Sequence, residues 1–250
     1  MKRHILLGSL LLVAGTLIAA QTSPKDDVKA AAKNLADKAN YSWKSTVEQP
    51  AGGGGGGGAG RGRQGPTDGK TEKDGFTVLT MTRGENKTEA VLKSGKGAIK
   101  GPDGWIGLGE AFAAAQGGDR GNAAGFVART LTTFKNPAAQ AEDLAAKTKD
   151  LKKNDDAYVG ELNEEGLKSL LNFGRPGGNA PAPQDAKGNV KIWIKDGMIT
   201  KYEFRVQATV TFNNNDIKID RTTTVEIKDV GSTKVEVPDE AKGKMSAVSI

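Results

Sequence analysis

The stretch ITKYEFRVQATVTFNNN, residues 199–215, decides the fold. Tyr202, Phe204, Val206, Ala208, Val210 and Phe212 fall on every second position, with Lys201, Glu203, Arg205, Gln207, Thr209 and Thr211 between them. Such alternation predicts a strand with one buried and one wet side. A strand of this length spans roughly 35 Å. It should twist, and a sheet of eight or more such strands curls. Upstream, NVKIWIKDG (189–197) predicts a hairpin about Asp196-Gly197, since both residue types accept the left-handed backbone of a tight turn. After a turn at Asn213 to Asp216, the residues Ile217, Ile219, Val225 and Ile227 alternate again, and TKVEVPDEAK (233–242) reads as a closing strand.

The missing residue types narrow function more than any motif does. There is no Cys, so thiol catalysis and disulfides are excluded, and the single His is His4. His4 lies in MKRHILLGSLLLVAGTLIAAQTS, where a positive head precedes an apolar run and Ile18-Ala19-Ala20 offers a small-residue cleavage site. That layout predicts a signal peptide over residues 1–20. An uncleaved anchor helix is the rival reading, opposed by the short run and its interruption at Gly8, Ser9, Gly15 and Thr16. No Cys stands at the cleavage point to carry a lipid anchor, so the mature chain is expected in the periplasm or outside the cell. It would have no imidazole for a Ser-His-Asp triad, for base catalysis near neutral pH or for a zinc site. Its 34 Lys and Arg against 30 Asp and Glu are scattered, which suits a solvated surface rather than nucleic-acid binding. Residues 21–250 suit one domain, and a monomer is expected.

Ser23-Pro24 begins a helix predicted over 24–40, with Ser23 as cap, Asp26 and Asp27 in the first turn, and Val28, Ala31, Ala32, Leu35 and Ala39 on one face. YSWKSTVEQ (41–49) follows as a strand with Tyr41, Trp43 and Val47 buried. PAGGGGGGGAGRGRQGP (50–66) holds nothing that could join a core and reads as a disordered loop. Short strands GFTVLTMTR, KTEAVLKS, KGAIKG and GWIGLGE are joined by turn residues and so lie antiparallel. The middle is helical: NAAGFVARTLTTF, a helix from Pro137, and NEEGLKSLLNFG with Asn163 as cap, separated by the strand AYVGEL. A second flexible loop is predicted at 174–188. Strands at both ends with helices between predict an antiparallel α+β domain. Its strongly curved sheet would form an unclosed β-barrel, with Ala-rich helices covering the open, concave side.

This order of elements resembles the LolA/LolB lipoprotein-carrier superfamily and the related LppX/LprG lipoproteins of the mycobacterial envelope. AAAKNLADKAN running into YSWKSTVE is similar to that family's start. TRGENKTEAVLKSGKGAIKGPDGWIGL is similar to its central hairpins, and NVKIWIKDGMITKYEFRV with TTTVEIKDVGSTKVEVPDEAK to its closing meander. The resemblance implies a half-barrel capped by helices around a cavity for acyl chains. It also makes Arg83, in the position of the family's strand-end Arg, a candidate for latching the lid; the plainer reading is an exposed Arg beside a turn. The chain departs from the family in lacking an anchor Cys, in its two loops and in its 5% aromatic content.

Other motifs carry less. GPTDGKT (65–71) has three residues between its glycines where a phosphate loop needs four. Asn154-Asp155-Asp156 and Asn213–Asp216 lack the spacing of a calcium loop. No carboxylate pair is singled out by an apolar setting, so an enzyme is not expected. The function expected is an exported protein that binds an apolar ligand, an acyl chain or lipidated partner, without cofactor or metal; peripheral membrane contact is compatible with it. Tyr41, Trp43, Tyr202, Phe204, Val206, Val210 and Phe212 would line the sheet side and Phe126, Leu131, Leu167 and Leu170 the helical side, with Trp105 and Trp193 on the wall or at the mouth. The alternatives are a structural or interaction protein of the same fold with a filled core, and a hydrolase relying on carboxylates or a Ser-Lys pair.

Overall fold

The computed structural model describes residues 22–49, 64–116, 123–171, 183–212 and 215–247. The expected signal peptide, most of the Gly-rich loop and residues 174–182 of the second loop lie outside the described residues. In chain order the elements are α1 (Pro24–Ala36), β1 (Asn40–Glu48), β2 (Gln64–Glu72), β3 (Thr77–Arg83), β4 (Asn86–Lys93), β5 (Lys96–Gly101), β6 (Gly104–Gly107), α2 (Leu108–Gln116), α3 (Ala123–Leu131), α4 (Pro137–Ala146), β7 (Lys152–Asn154), β8 (Ala157–Glu161), α5 (Glu164–Leu171), β9 (Gln184–Lys195), β10 (Met198–Phe212), β11 (Asn215–Lys228), α6 (Asp239–Lys244) and β12 (Ser246–Ala247).

The strands form one antiparallel sheet in the order β12-β5-β4-β3-β2-β1-β11-β10-β9-β8-β7, with β6 beside β12 on the same edge of β5. No ladder among the described residues joins β7 to β6 or β12, so the sheet is an unclosed half-barrel of α+β class. Toward one end of it, β9 and β10 form the hairpin predicted from Asp196-Gly197, whose φ angles of 52° and 72° are both left-handed. A bulge between Ile199 and Lys201 shifts the register of β10 against β9. Ile199 and Tyr202, three residues apart, therefore both reach the core side, and Phe204, Val206 and Ala208 follow at every second position.

The inner face collects the main core, to which α1 to α5 contribute Val28, Leu35, Phe112, Leu131, Leu144 and Leu171 among others. The first helix starts as expected, with Ser23 Oγ accepting from the Asp26 amide, but stops at Ala36. Burial of this face removes apolar side chains from water at about 25 cal/mol per Å². A second, smaller cluster lies on the opposite face, where Val91, Ala98 and Trp105 meet Ala241 of α6. Strands β4 to β6 thus carry apolar residues on both faces at this cluster, which explains the consecutive apolar residues in AVL, GAI and GWI.

Four expectations need correction. The Gly-rich loop was expected to run to residue 66, whereas β2 begins at Gln64 and sits between β1 and β3. QGPTDGKTE has no apolar residue, so no periodicity marks it. The second loop likewise ends early, as β9 begins at Gln184. GWIGLGE is not one strand: α2 starts at Leu108, and Leu108, Ala111 and Phe112 at helical spacing bury against the sheet. TKVEVPDEAK is not a strand either. Asn40 Oδ1 accepts from the Thr233 amide and the Asp229 carbonyl from the Thr233 hydroxyl, and the chain then enters α6 on the outer face.

Candidate ligand-binding face

Six of the residues expected to bind ligand come together on the inner face. Tyr41 and Trp43 of β1, Tyr202, Phe204 and Val206 of β10, and Leu131 of α3 belong to one cluster, each no more than 6% exposed. Protein atoms cover all six. Leu167 and Leu170 of α5 are half-buried against the same cluster. Val210 is half-buried further out, paired with Ile217 at the end of the β10–β11 ribbon. The side chains of Phe126 and Phe212 lie outside the described residues.

Two of the three tryptophans are elsewhere. Trp105 belongs to the small cluster on the outer face, because Ile106 takes the inner position of β6. Trp193 is also on the outer face, opposite Lys201, whose ammonium stands 4.8 Å from the ring centroid. Both were expected on the cavity wall or at its mouth, and the outer face overturns that expectation. The phase of Trp193, shared with Lys191 and Lys195, carried the signal for its true side.

Trp43 is held tightly. Its ring lies across Gly69 of β2, and it stacks on Phe134 with centroids 6.1 Å apart and planes at 22°. Its Nε1 donates to Thr71 Oγ1 at 3.1 Å. Beside it, the Tyr202 hydroxyl donates to Gln140 Oε1 of α4 at 2.6 Å. Burial pushes the Tyr41 phenol up to about 12 and the Tyr202 phenol well above its ordinary value, so both stay neutral. Gly69, Thr71 and Gln140 carry no core signal in the sequence, since they are small or polar.

The helices cover the inner face in two groups: α2 and α3 pack on β5, and α1, α4 and α5 on β9 and β10. Between them, toward the end of the sheet where β1 gives out, the register turns Val47, Thr67, Met81 and Thr223 inward, and all four are half-buried. Arg83 occupies the inner row at the end of β3, opposite Asn86. Arg221 of β11 does likewise opposite Val206, and it donates to the Leu170 carbonyl near the carboxyl end of α5. Burial lowers the Arg221 pKa, and the helix dipole there favours a cation. This contact fixes α5 to the sheet, and nothing in the sequence marked it.

Outside the core, a cleft of about 490 Å³ lies between α1 and α4, lined by Ala30, Ala32, Asn136, Ala138 and Ala139 with charged residues at its edge. Among the described residues, no three of His, Cys, Asp or Glu converge as metal ligands, and no helix is long and apolar enough to cross a membrane.

No family model and no curated protein matches the sequence. Among solved structures, the chain is similar to LprF from Mycobacterium bovis, at a TM-score of 0.44 and 10% identity over 87% of this chain and 97% of that one. It is also similar to the Mycobacterium tuberculosis lipoprotein LppX, at 0.43 and 9% over 85% and 97%. LppX is among the proteins that the sequence resemblance named.

Proposed function

We propose that this is an exported, non-catalytic binding protein that shelters an apolar ligand, an acyl chain or a lipidated partner, between its helices and the inner face of its sheet. The observation that carries the reading is the half-buried rim between the two helix groups, where Val47, Met81, Leu167 and Leu170 lead into the apolar interior. Arg83 and Arg221 stand at that rim. Chain entry would be driven by removal of hydrocarbon from water, so selectivity among chains is loose. The reading accords with the ionisable groups as well. Asp37, Glu164, Asp220 and Asp239 are held below their ordinary pKa by lysine or arginine hydrogen bonds. Burial raises Asp143, but Lys135 and Lys147 outweigh it, so it too ends low. None of these carboxyls is tuned upward as a general acid would be.

Native mass spectrometry and saturable uptake of a fluorescent fatty acid by the mature protein test this. Phe204→Asp is a poor probe, because it would bury an unpaired carboxylate at a site only 5% exposed and unfold the protein. Met81→Asp, at the half-exposed rim, should leave the thermal melt largely intact and reduce uptake at least tenfold. A wild-type protein that carries no lipid and takes none up would sink the reading in favour of a filled-core interaction protein.

A further inference from the structure

A knot of polar groups sits among the apolar side chains of the inner face. Tyr41, Thr71, Thr77 and Tyr202 enter it from the sheet, and Gln140 and the first turn of α4 from the helix layer. Most are matched to one another. Thr71 Oγ1 accepts from Trp43 Nε1, the Thr77 hydroxyl lies 3.4 Å from the same oxygen, and Tyr202 is bonded to Gln140. At the head of α4, Asn136 takes the amides of Ala139 and Gln140, which leaves the Ala138 amide to face Tyr41. The Tyr41 hydroxyl is the exception. On a side chain that is 2% exposed, it completes no hydrogen bond of normal distance and angle and has only marginal approaches from the Ala138 amide and the Thr71 hydroxyl. A buried hydroxyl without a partner weakens the closed core, where Phe would fill the same space.

We propose that the Tyr41 hydroxyl and the first turn of α4 form an internal polar subsite that receives the oxygen of an amphiphile: a carboxyl, an ester carbonyl or an alcohol. The protein then prefers chains with a polar end to bare hydrocarbon. This rests on the binding role proposed above and specifies the ligand class. Burial keeps the Tyr41 phenol protonated, so it can donate to a carbonyl or carboxylate while the Ala138 amide supplies a second donor. Ala138 also lines the α1–α4 cleft, beside Ala30, Ala32 and Ala139 and charged residues from both helices.

The test is displacement of N-phenyl-naphthylamine from the mature protein by hexadecanoic acid, hexadecanol and hexadecane, in the wild type and in Tyr41→Phe. The wild type should prefer the acid and the alcohol. Tyr41→Phe should lose roughly five- to tenfold in affinity for those two, keep its affinity for hexadecane, and melt at the same or a higher temperature. Unchanged affinity for the acid in Tyr41→Phe overturns the subsite; if the melting temperature also falls, the hydroxyl held a resident water only. A wild type from which none of the three displaces the dye fails at the earlier step, the binding role itself, and the subsite falls with it.

Discussion

A methyl group built on Gly69 would lie 2.1 Å from Cε2 of Trp43, well inside any contact that carbon atoms tolerate. The ring rests on the bare backbone of β2, with its N–H on Thr71 two residues further along the same strand. Gly69 is therefore required by a close approach of a side chain and not by its own backbone angles. Gly69→Ala should destabilise the protein by about 1–3 kcal/mol, the usual range for overpacking a core, as measured by urea unfolding followed through tryptophan emission. A loss below about 0.5 kcal/mol would mean that Trp43 finds another seat at little cost. In the sequence this residue stands within GPTDGKT, considered only as a phosphate loop.

At the scale of elements, α5 shows how a short helix is placed from both ends. Asn163 Oδ1 accepts from the Gly166 amide, Glu164 and Glu165 sit in the first turn, and these three were legible as a start signal. The far end is held by Arg221, which comes from β11 and could not be paired with α5 by any local pattern. Gly188 of β9 lets the helix approach, since a side chain there would meet Leu162 and Leu167. Arg221→Met keeps an apolar stem and removes the bond to the Leu170 carbonyl. Amide exchange across residues 164–171 should then rise by about tenfold or more, in line with a charged hydrogen bond, while β10 stays protected. Exchange that is unchanged in α5 would show that Leu167 and Leu171 hold it without help.

Across the whole molecule, the helix layer is tied to the sheet at the end of α1. Asp37 accepts from Lys33 of α1 at 2.6 Å and from Lys73, in the turn after β2, at 2.9 Å. Those hydrogen bonds hold its carboxyl near a pKa of about 2, below the ordinary value. A carboxyl depressed by folding contributes its full stability above the unfolded value of about 4 and loses it as pH falls toward the folded one. The wild type should melt above Asp37→Asn at neutral pH, and the gap should close between about pH 4 and pH 2. A gap that persists at pH 2 would mean that the substitution acts through packing. The pair is exposed, so the gap should also narrow in high salt.

The sequence by itself determined the elements whose period shows one dry and one wet face. These are the β9–β11 meander with its Asp196-Gly197 turn, β1, and the starts of α1, α4 and α5, whose caps Ser23, Asn136 and Asn163 each accept a first-turn amide. The absence of Cys, and of any His past position 4, removed whole classes of chemistry. Only the tertiary structure decided that QGPTDGKTE is a central strand, that α6 crosses to the outer face, and which side of the sheet Trp105 takes. The reason is physical. Periodicity reports a face only where one side of an element is buried and the other is wet. A strand such as β2 takes its place from backbone hydrogen bonds to two neighbours, and in β3 to β6 the small outer cluster of Val91, Ala98 and Trp105 blurs the phase.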